Sequence, residues 1–339
     1  MLNKIKSQYI INKIFKNIKN KRKLNIIKYN KKLLYRFNIT KQDFEIYIML
    51  NEINKEYNFK INDIDIKRLY LGFTNNVFNI LKGLSKIKLD KLNILYLEFN
   101  EISDINILGK VNFKQLKKLY LNNNKISDIN IFEKTNFEQL KELDLRENQI
   151  SDISVFKKVH FNSLNKLKLS NNWISDIKIL EKVNFKELNE LNLEKNKISD
   201  INVLEKVNFK ELKKLNLNNN NIIDINILAK VNFKKLKELY LGLNKISDIT
   251  VFEKVNFEEL TILELGCNEI SDIKILEKVN FKDLEELWLI HNKITDINVF
   301  EKVNFKKLKI LTLSGNEINM EDNFSIISNI KSKIVELLI

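Results

Sequence analysis

The stretch Leu116-Lys-Lys-Leu119-Tyr-Leu121-Asn-Asn-Asn124-Lys-Ile126-Ser-Asp128-Ile129 decides the fold, because it keeps returning. Its first leucine recurs every 24 residues, at Leu92, Leu116, Leu140, Leu164, Leu188, Leu212, Leu236, Leu260, Leu284 and Leu308. Repetition at this period means a solenoid, in which each unit buries its apolar face on its neighbours. With the leading leucine as position 0, positions 3 and 5 are Leu and position 8 is Asn in all ten units. Position 10 is Ile in all ten, while Ile at 13 and Phe at 21 hold in the nine complete units.

The alternation Leu95-Tyr96-Leu97 reads as a short strand with one face buried. The asparagine that follows lies inside, where a bare amide is costly. It must bond backbone groups of the adjacent turn and of a neighbouring unit. Asn, Ser or Thr at position 14 (Asn106, Asn130, Ser154) is placed to cap a brief helical stretch. Asn at position 20, such as Asn208, suits a left-handed stop. The nine aspartates from Asp104 to Asp296 fall in the turn. We read them as turn caps rather than a metal ladder, because calcium ligands normally cluster in Gly-containing loops.

These columns resemble the leucine-rich repeat family, Leu-x-x-Leu-x-Leu-x-x-Asn-x-Ile. The Ile-Ser-Asp-Ile turn is similar to the subclass found in bacterial internalins and in the type-1 phosphatase regulatory subunit. The resemblance implies an α/β solenoid with a concave parallel β-sheet and short helical turns on the convex side. It covers 92–317, preceded by a degenerate first repeat over 64–91 that contains Ile66-Lys-Arg-Leu69-Tyr-Leu71. Residues 318–339 are expected to form a C-terminal capping helix, with Phe324, Ile327, Ile330, Ile334 and Leu338 on one face.

The net charge of +14 is unevenly placed. Thirteen Lys or Arg precede the first acid, Asp43, leaving 45 bases against 44 acids beyond it. Residues 1–63 read as a basic helical segment, with Ile10, Ile14, Phe15 and Ile18 at helical spacing before Lys19-Asn-Lys-Arg-Lys23. Three roles stay open for it. It caps the solenoid, or it offers a basic surface to a polyanion, nucleic acid or anionic lipid. Alternatively, Ile10-Ile-Asn-Lys-Ile14-Phe15-Lys-Asn-Ile18 resembles the start of an F-box, although Ser7-Gln8 replaces the usual Leu-Pro. That resemblance implies a substrate adaptor docking a ubiquitin-ligase linker.

Chemistry is thin. Cys267 is the only cysteine and His160 and His291 are the only histidines, so neither a disulfide nor a zinc set is available. The six glycines are scattered and make no phosphate cradle. A contact between Cys267 and His291 would lack the third group that orients a nucleophilic pair. No cofactor is expected and an enzyme is rejected. No apolar run is long enough to span a membrane and no targeting segment is visible, so a cytoplasmic, or nuclear, protein is expected.

The units differ most at positions 4, 6 and 7, which point to the concave side or its rim. We read this side as the binding face for a protein partner. Its first aromatic group is Tyr70, Phe73, Tyr96, Phe99 and Tyr120. Its second is Tyr240, Leu243, Trp288, Ile290 and His291, and its polar middle holds Asp144, Arg146 and Lys168. Tyr and Trp are the residue types that most often dominate binding energy. The alternative is drift at tolerant positions where aromatics simply suit a strand.

Overall fold

The computed structural model describes residues 68–71, 91–111, 113–303 and 305–339. The basic segment 1–63, with its cap, F-box-like and polyanion readings, lies outside the described residues. So do Phe73 and most of the degenerate unit 64–91.

Among the described residues, twelve parallel three-residue strands form one open sheet in sequence order. They are β1 (Arg68–Tyr70), β2 (Ile94–Tyr96), β3 (Lys118–Tyr120), β4 (Glu142–Asp144), β5 (Lys166–Lys168) and β6 (Glu190–Asn192). The series continues with β7 (Lys214–Asn216), β8 (Glu238–Tyr240), β9 (Ile262–Glu264), β10 (Glu286–Trp288), β11 (Ile310–Thr312) and β12 (Glu336–Leu338). Each strand starts one residue before the alternation suggested, at position 2, so positions 2 and 4 share the outer face and the leucine at 3 points inward. Leu95, Leu119, Leu143 and their equivalents to Leu311 are fully buried. The phenylalanines of position 21 line up behind them from Phe113 to Phe281, each no more than 3% exposed. Phe132 and Phe156 meet Phe161 and Phe185 edge-on, with ring centroids 5.8 Å apart in both pairs.

The invariant asparagine joins each coil to the one before it. Asn148 Nδ2 donates to the carbonyls of Leu121, one unit back, and of its own Leu145 and Arg146, at 3.0–3.1 Å. Its Oδ1 accepts the Ile126 N–H at 3.0 Å. The Nδ2 donation to the preceding unit's leucine carbonyl repeats from Asn100 to Asn316. The buried amide is thereby satisfied at both ends, as the burial argument required.

Two local readings change. The chain enters its 3-10 turns (such as Asn106–Gly109) through Ile105, which makes no side-chain cap bond. The cap is the aspartate two residues before position 14: Asp104 Oδ1 accepts the Asn106 N–H at 2.7 Å. All nine aspartates do this, including Asp176 and Asp272, which serve Lys178 and Lys274, residues unable to cap. The carboxylate reaches the N–H first, so position 14 need not carry an oxygen. Among the described residues the recurring left-handed residue lies at position 7, not 20, with Glu101 at position 9 one further case. Phe99, Asn123, Glu147, Asn171, Lys195, Asn219, Leu243, Cys267 and His291 have φ between 52° and 56°, and Gly315 has 71°. None is β-branched, the class for which that conformation is least tolerable.

The last 3-10 turn is replaced by a short helix, α1 (Val299–Lys302), and the array ends with α2 (Phe324–Lys331). The helix expected over 318–339 is thus shorter. Ile326, Ile327 and Ile330 are buried beneath α2 while Phe324 faces outward. Beyond it β12 pairs with β11, with Leu313 N donating to Leu338 O at 2.6 Å and Glu336 N to Lys309 O at 2.8 Å. Leu338 therefore sits in a strand. A bare β11 edge would invite pairing with another chain, and β12 covers it.

The ladder leads to a ranking. Asn172→Ala orphans the Ile150 N–H and takes one of two amide donors from each of the Leu145 and Leu169 carbonyls, which keep Asn148 and Asn196, and should cost about 2 kcal/mol in urea unfolding. Asp176→Ala removes one exposed cap and should cost about 1 kcal/mol. Equal losses would contradict the weight placed on the asparagine.

Candidate functional site

The outer face of the sheet presents positions 2 and 4 of every strand, with positions 6 and 7 at its rim. In-register pairing places equal positions side by side, about 4.8 Å apart. The face divides into three regions.

At the β1 end, Tyr70, Tyr96 and Tyr120 form a continuous stack. Ring centroids lie 4.2 Å and 4.7 Å apart, with planes tilted by 8° and 9°. Tyr70 is 58% exposed and Phe99, on the rim, 45% exposed. Burial, and next the neighbouring Glu142, push the Tyr120 hydroxyl up to about 12. Burial followed by the bond to Tyr70 raises Tyr96 as well.

The middle is less available than its sequence suggested. Asp144 is only 1% exposed. It lies between Tyr120 and Lys168 on the flanking strands, and Arg146 folds back over it with Nε and a terminal nitrogen at 2.7–3.1 Å. Its carboxylate cannot meet a partner, and Arg146 is committed to it. Lys168 reaches Glu142 at 3.2 Å, and Lys118 reaches the same carboxylate at 2.8 Å. Burial pushes Glu142 up, but the two lysines outweigh it and hold the group below its ordinary value.

The position-2 column went unnoticed in the sequence reading. It runs Lys118, Glu142, Lys166, Glu190, Lys214, Glu238 across β3 to β8, alternating in sign. Ion pairs close between neighbours at 2.8, 2.9 and 2.6 Å. Its signal was the alternation itself, two residues before the aromatic column and therefore on the same face.

Towards the other end, Tyr240 donates to Glu238 at 2.9 Å, and Lys214 Nζ lies 4.7 Å from the Tyr240 ring centroid. Burial and the hydrogen bond to Glu238 push this hydroxyl up to about 12. Trp288, 36% exposed, donates its indole N–H to Glu286 at 3.0 Å. Leu243 is 52% exposed, Ile290 is half-buried, and the exposed His291 ring packs on Gly315, where any Cβ would collide with it. Tyr240 and Trp288 do not touch across the sheet. Glu264 stands between them in the same row, pairing in register with both.

The Cys267 thiol on this rim is not activated. Burial, and then Glu264, push the Cys267 thiol up, the reverse of what a thiolate nucleophile needs. Among the described residues no three His, Cys, Asp or Glu come together in a group able to hold a metal ion. Nor, among them, is any helix long and apolar enough to cross a membrane.

The raised tyrosines set an alkaline limit. An unfolded tyrosine ionises near pH 10, below the value of about 12 for Tyr120 and Tyr240 in the fold. Their contribution to stability is fully present below pH 10 and is lost as pH rises through about 12. Ultraviolet titration should show a separate fraction of the phenolate absorbance forming only near pH 12, with Tyr240→Phe removing part of that step. Ionisation of every tyrosine near pH 10, with no late fraction, would contradict the packing of both rings.

Comparison with known proteins agrees with this architecture. A family profile described as leucine-rich repeats (2 copies) matches residues 114–158, 210–254 and 258–302. No curated protein matches the chain. Among solved structures, an internalin (inlF) from Listeria monocytogenes is 26% identical with a TM-score of 0.61, over 87% of this chain and 96% of that one. Internalin C2 (inlC2) of the same organism is 24% identical with a TM-score of 0.50, over 70% of this chain and 89% of that one. The plant peptide hormone receptor RGFR1, solved in complex with RGF2, shares the fold at 20% identity and a TM-score of 0.50. The match covers 68% of this chain and 41% of that receptor. Repeat columns, sheet order and these matches support a leucine-rich-repeat protein of the internalin-like kind.

Proposed function

We propose that this chain is a non-catalytic scaffold that binds a protein partner on the concave face of its repeats. The observation that carries the reading is a contrast. The buried columns barely vary, whereas the outward position 4 changes from unit to unit and places Tyr70, Tyr96, Tyr120, Tyr240 and Trp288 on one face. Short strands tied together by the asparagine ladder hold those rings before any partner arrives, so little order is lost on docking. A plant receptor of the same fold was solved in complex with RGF2, which fits such a use of the scaffold.

The anchors in this reading are Tyr96, Tyr120, Tyr240 and Trp288, with Phe99 and Leu243 on the rim. Asp144 is removed from the contact set by its burial, and Arg146 serves Asp144. The cytoplasm is the compartment we propose, on the strength of a single cysteine and no disulfide to maintain. The adaptor and polyanion alternatives depend on residues 1–63, outside the described residues, and no comparison favours them.

Proximity labelling in the native cell tests the face directly. Tyr240→Ala with Trp288→Ala should abolish capture of the partner while circular dichroism stays unchanged. Each truncated anchor should cost about 2 kcal/mol, roughly thirty-fold in affinity. Trp173→Ala, on the outer edge, should leave capture intact. Full capture by the double variant would contradict the proposal.

A further inference from the structure

The carboxylates of the concave face fall into two classes. On β4 and β6 each is neutralised within the chain: Glu142 by Lys118 and Lys168, Asp144 by Arg146, Glu190 by Lys166. On β9 and β10 Glu264 and Glu286 make no ion pair among the described residues. Instead, Glu286 accepts the Trp288 indole N–H. Glu264 accepts the backbone N–H groups of Gly242 and Gly266 at 3.0 and 3.1 Å. It fills space that a Cβ at Gly242 would occupy, so the sequence has kept that room for the carboxylate. Asn218 also bonds it, and burial pushes its carboxyl up. All these partners are neutral, and the negative charge is left uncompensated.

The surroundings of Glu264 suit a cation. Across β8, β9 and β10, positions 2, 4, 6 and 7 hold three glutamates and no lysine or arginine, in a chain whose net charge is +14. Tyr240 and Trp288 flank Glu264 on either side in register. Two strand spacings put their backbones about 10 Å apart. That gap admits one guanidinium or ammonium group within about 6 Å of each ring centroid. The chain already makes this contact once: Lys214 sits 4.7 Å from the Tyr240 ring centroid and 2.6 Å from Glu238. Leu243 and Ile290 at the rim supply apolar area beside the charge.

We propose that the strip over β8 to β10 receives an arginine or lysine side chain from a basic, apolar-flanked segment of the protein partner, seated between Tyr240 and Trp288 on Glu264. This rests on the concave-face reading and adds the chemistry of the partner to it. The apolar flanks lie on Leu243 and Ile290, and the cation displaces no internal base, because Lys214 stays on the far side with Glu238.

The test uses the full-length chain carrying Trp173→Phe, so that Trp288 is the sole tryptophan. Three acetylated pentapeptides are titrated against its fluorescence: Leu-Arg-Leu-Arg-Leu and its glutamine and glutamate counterparts. The arginine peptide should shift Trp288 emission saturably, and the other two should bind at least ten-fold more weakly. Glu264→Gln should weaken the arginine peptide about ten-fold, and Glu286→Gln, which leaves the glycine contacts of Glu264 untouched, should weaken it as well. Charge-blind binding, or full affinity in both variants, overturns the proposal. So does a lack of binding to the full-length chain, whether the strip takes no cation or the chain's own basic residues 1–41 already occupy it. The two readings fail separately. Partner capture lost with the ring variants but unchanged by Glu264→Gln keeps the concave face and removes the basic segment.

Discussion

An asparagine side chain buried at the end of each strand spends both its donor and its acceptor on a neighbouring coil. Asn172 Nδ2 bonds the Leu145 carbonyl of the coil before, and its Oδ1 takes the N–H of Ile150 there. The Leu145 carbonyl also accepts from Asn148 of its own coil, but the Ile150 N–H has Asn172 as its acceptor, and left unmade that bond would cost on the order of 1–3 kcal/mol. A single coil leaves that N–H unsatisfied. The interaction therefore makes the coils interdependent, as a nearest-neighbour solenoid demands, and it lets strands of only three residues hold a twelve-stranded sheet.

Everything on the working face inherits that rigidity. The chain must turn sharply after each strand, and it does so with a left-handed residue at position 7 in every unit. The next turn is closed by an aspartate. Side chains at positions 2 and 4 consequently stand in fixed rows, where a ring meets the ring one unit away and a lysine meets a glutamate. The tyrosine stack of β1 to β3, the alternating ion pairs of β3 to β8 and the isolated Glu264 between Tyr240 and Trp288 are three outcomes of one geometry. Sequence variation alone separates them.

The sequence made the framework legible because its physics is periodic. Ten aligned copies of Leu, Asn and Ile, and nine of Phe, state which side chains are buried, and the cost of burying an amide states what Asn148 must do. What escaped reading was local or sideways. Asn208 at position 20 looked like a left-handed stop by residue type, yet Leu243 and Cys267 adopt that conformation because the turn between coils imposes it. Asp104 displaced Asn106 as the cap because a carboxylate two residues upstream reaches the same N–H. Asp144 looked exposed, since nothing along the chain shows that Tyr120 and Lys168 wall it in from the neighbouring strands. The pairing of Lys118 with Glu142 is visible only once units are laid side by side. The C-terminal apolar pattern fitted a helix at Ile327 and Ile330, but Leu338 was claimed by the open edge of β11.

Amide hydrogen exchange on the intact chain measures the central interaction most directly. The isoleucine N–H groups at position 10, from Ile102 to Ile294, sit after the strands in turns and are held by the asparagine of the following coil. The account predicts that they exchange only with unfolding of the array, as slowly as Leu145 and Leu169, whose N–H groups bond the next strand just beyond β4 and β5. Exchange of those isoleucines at the pace of an open loop, with Leu145 and Leu169 still protected, would contradict it.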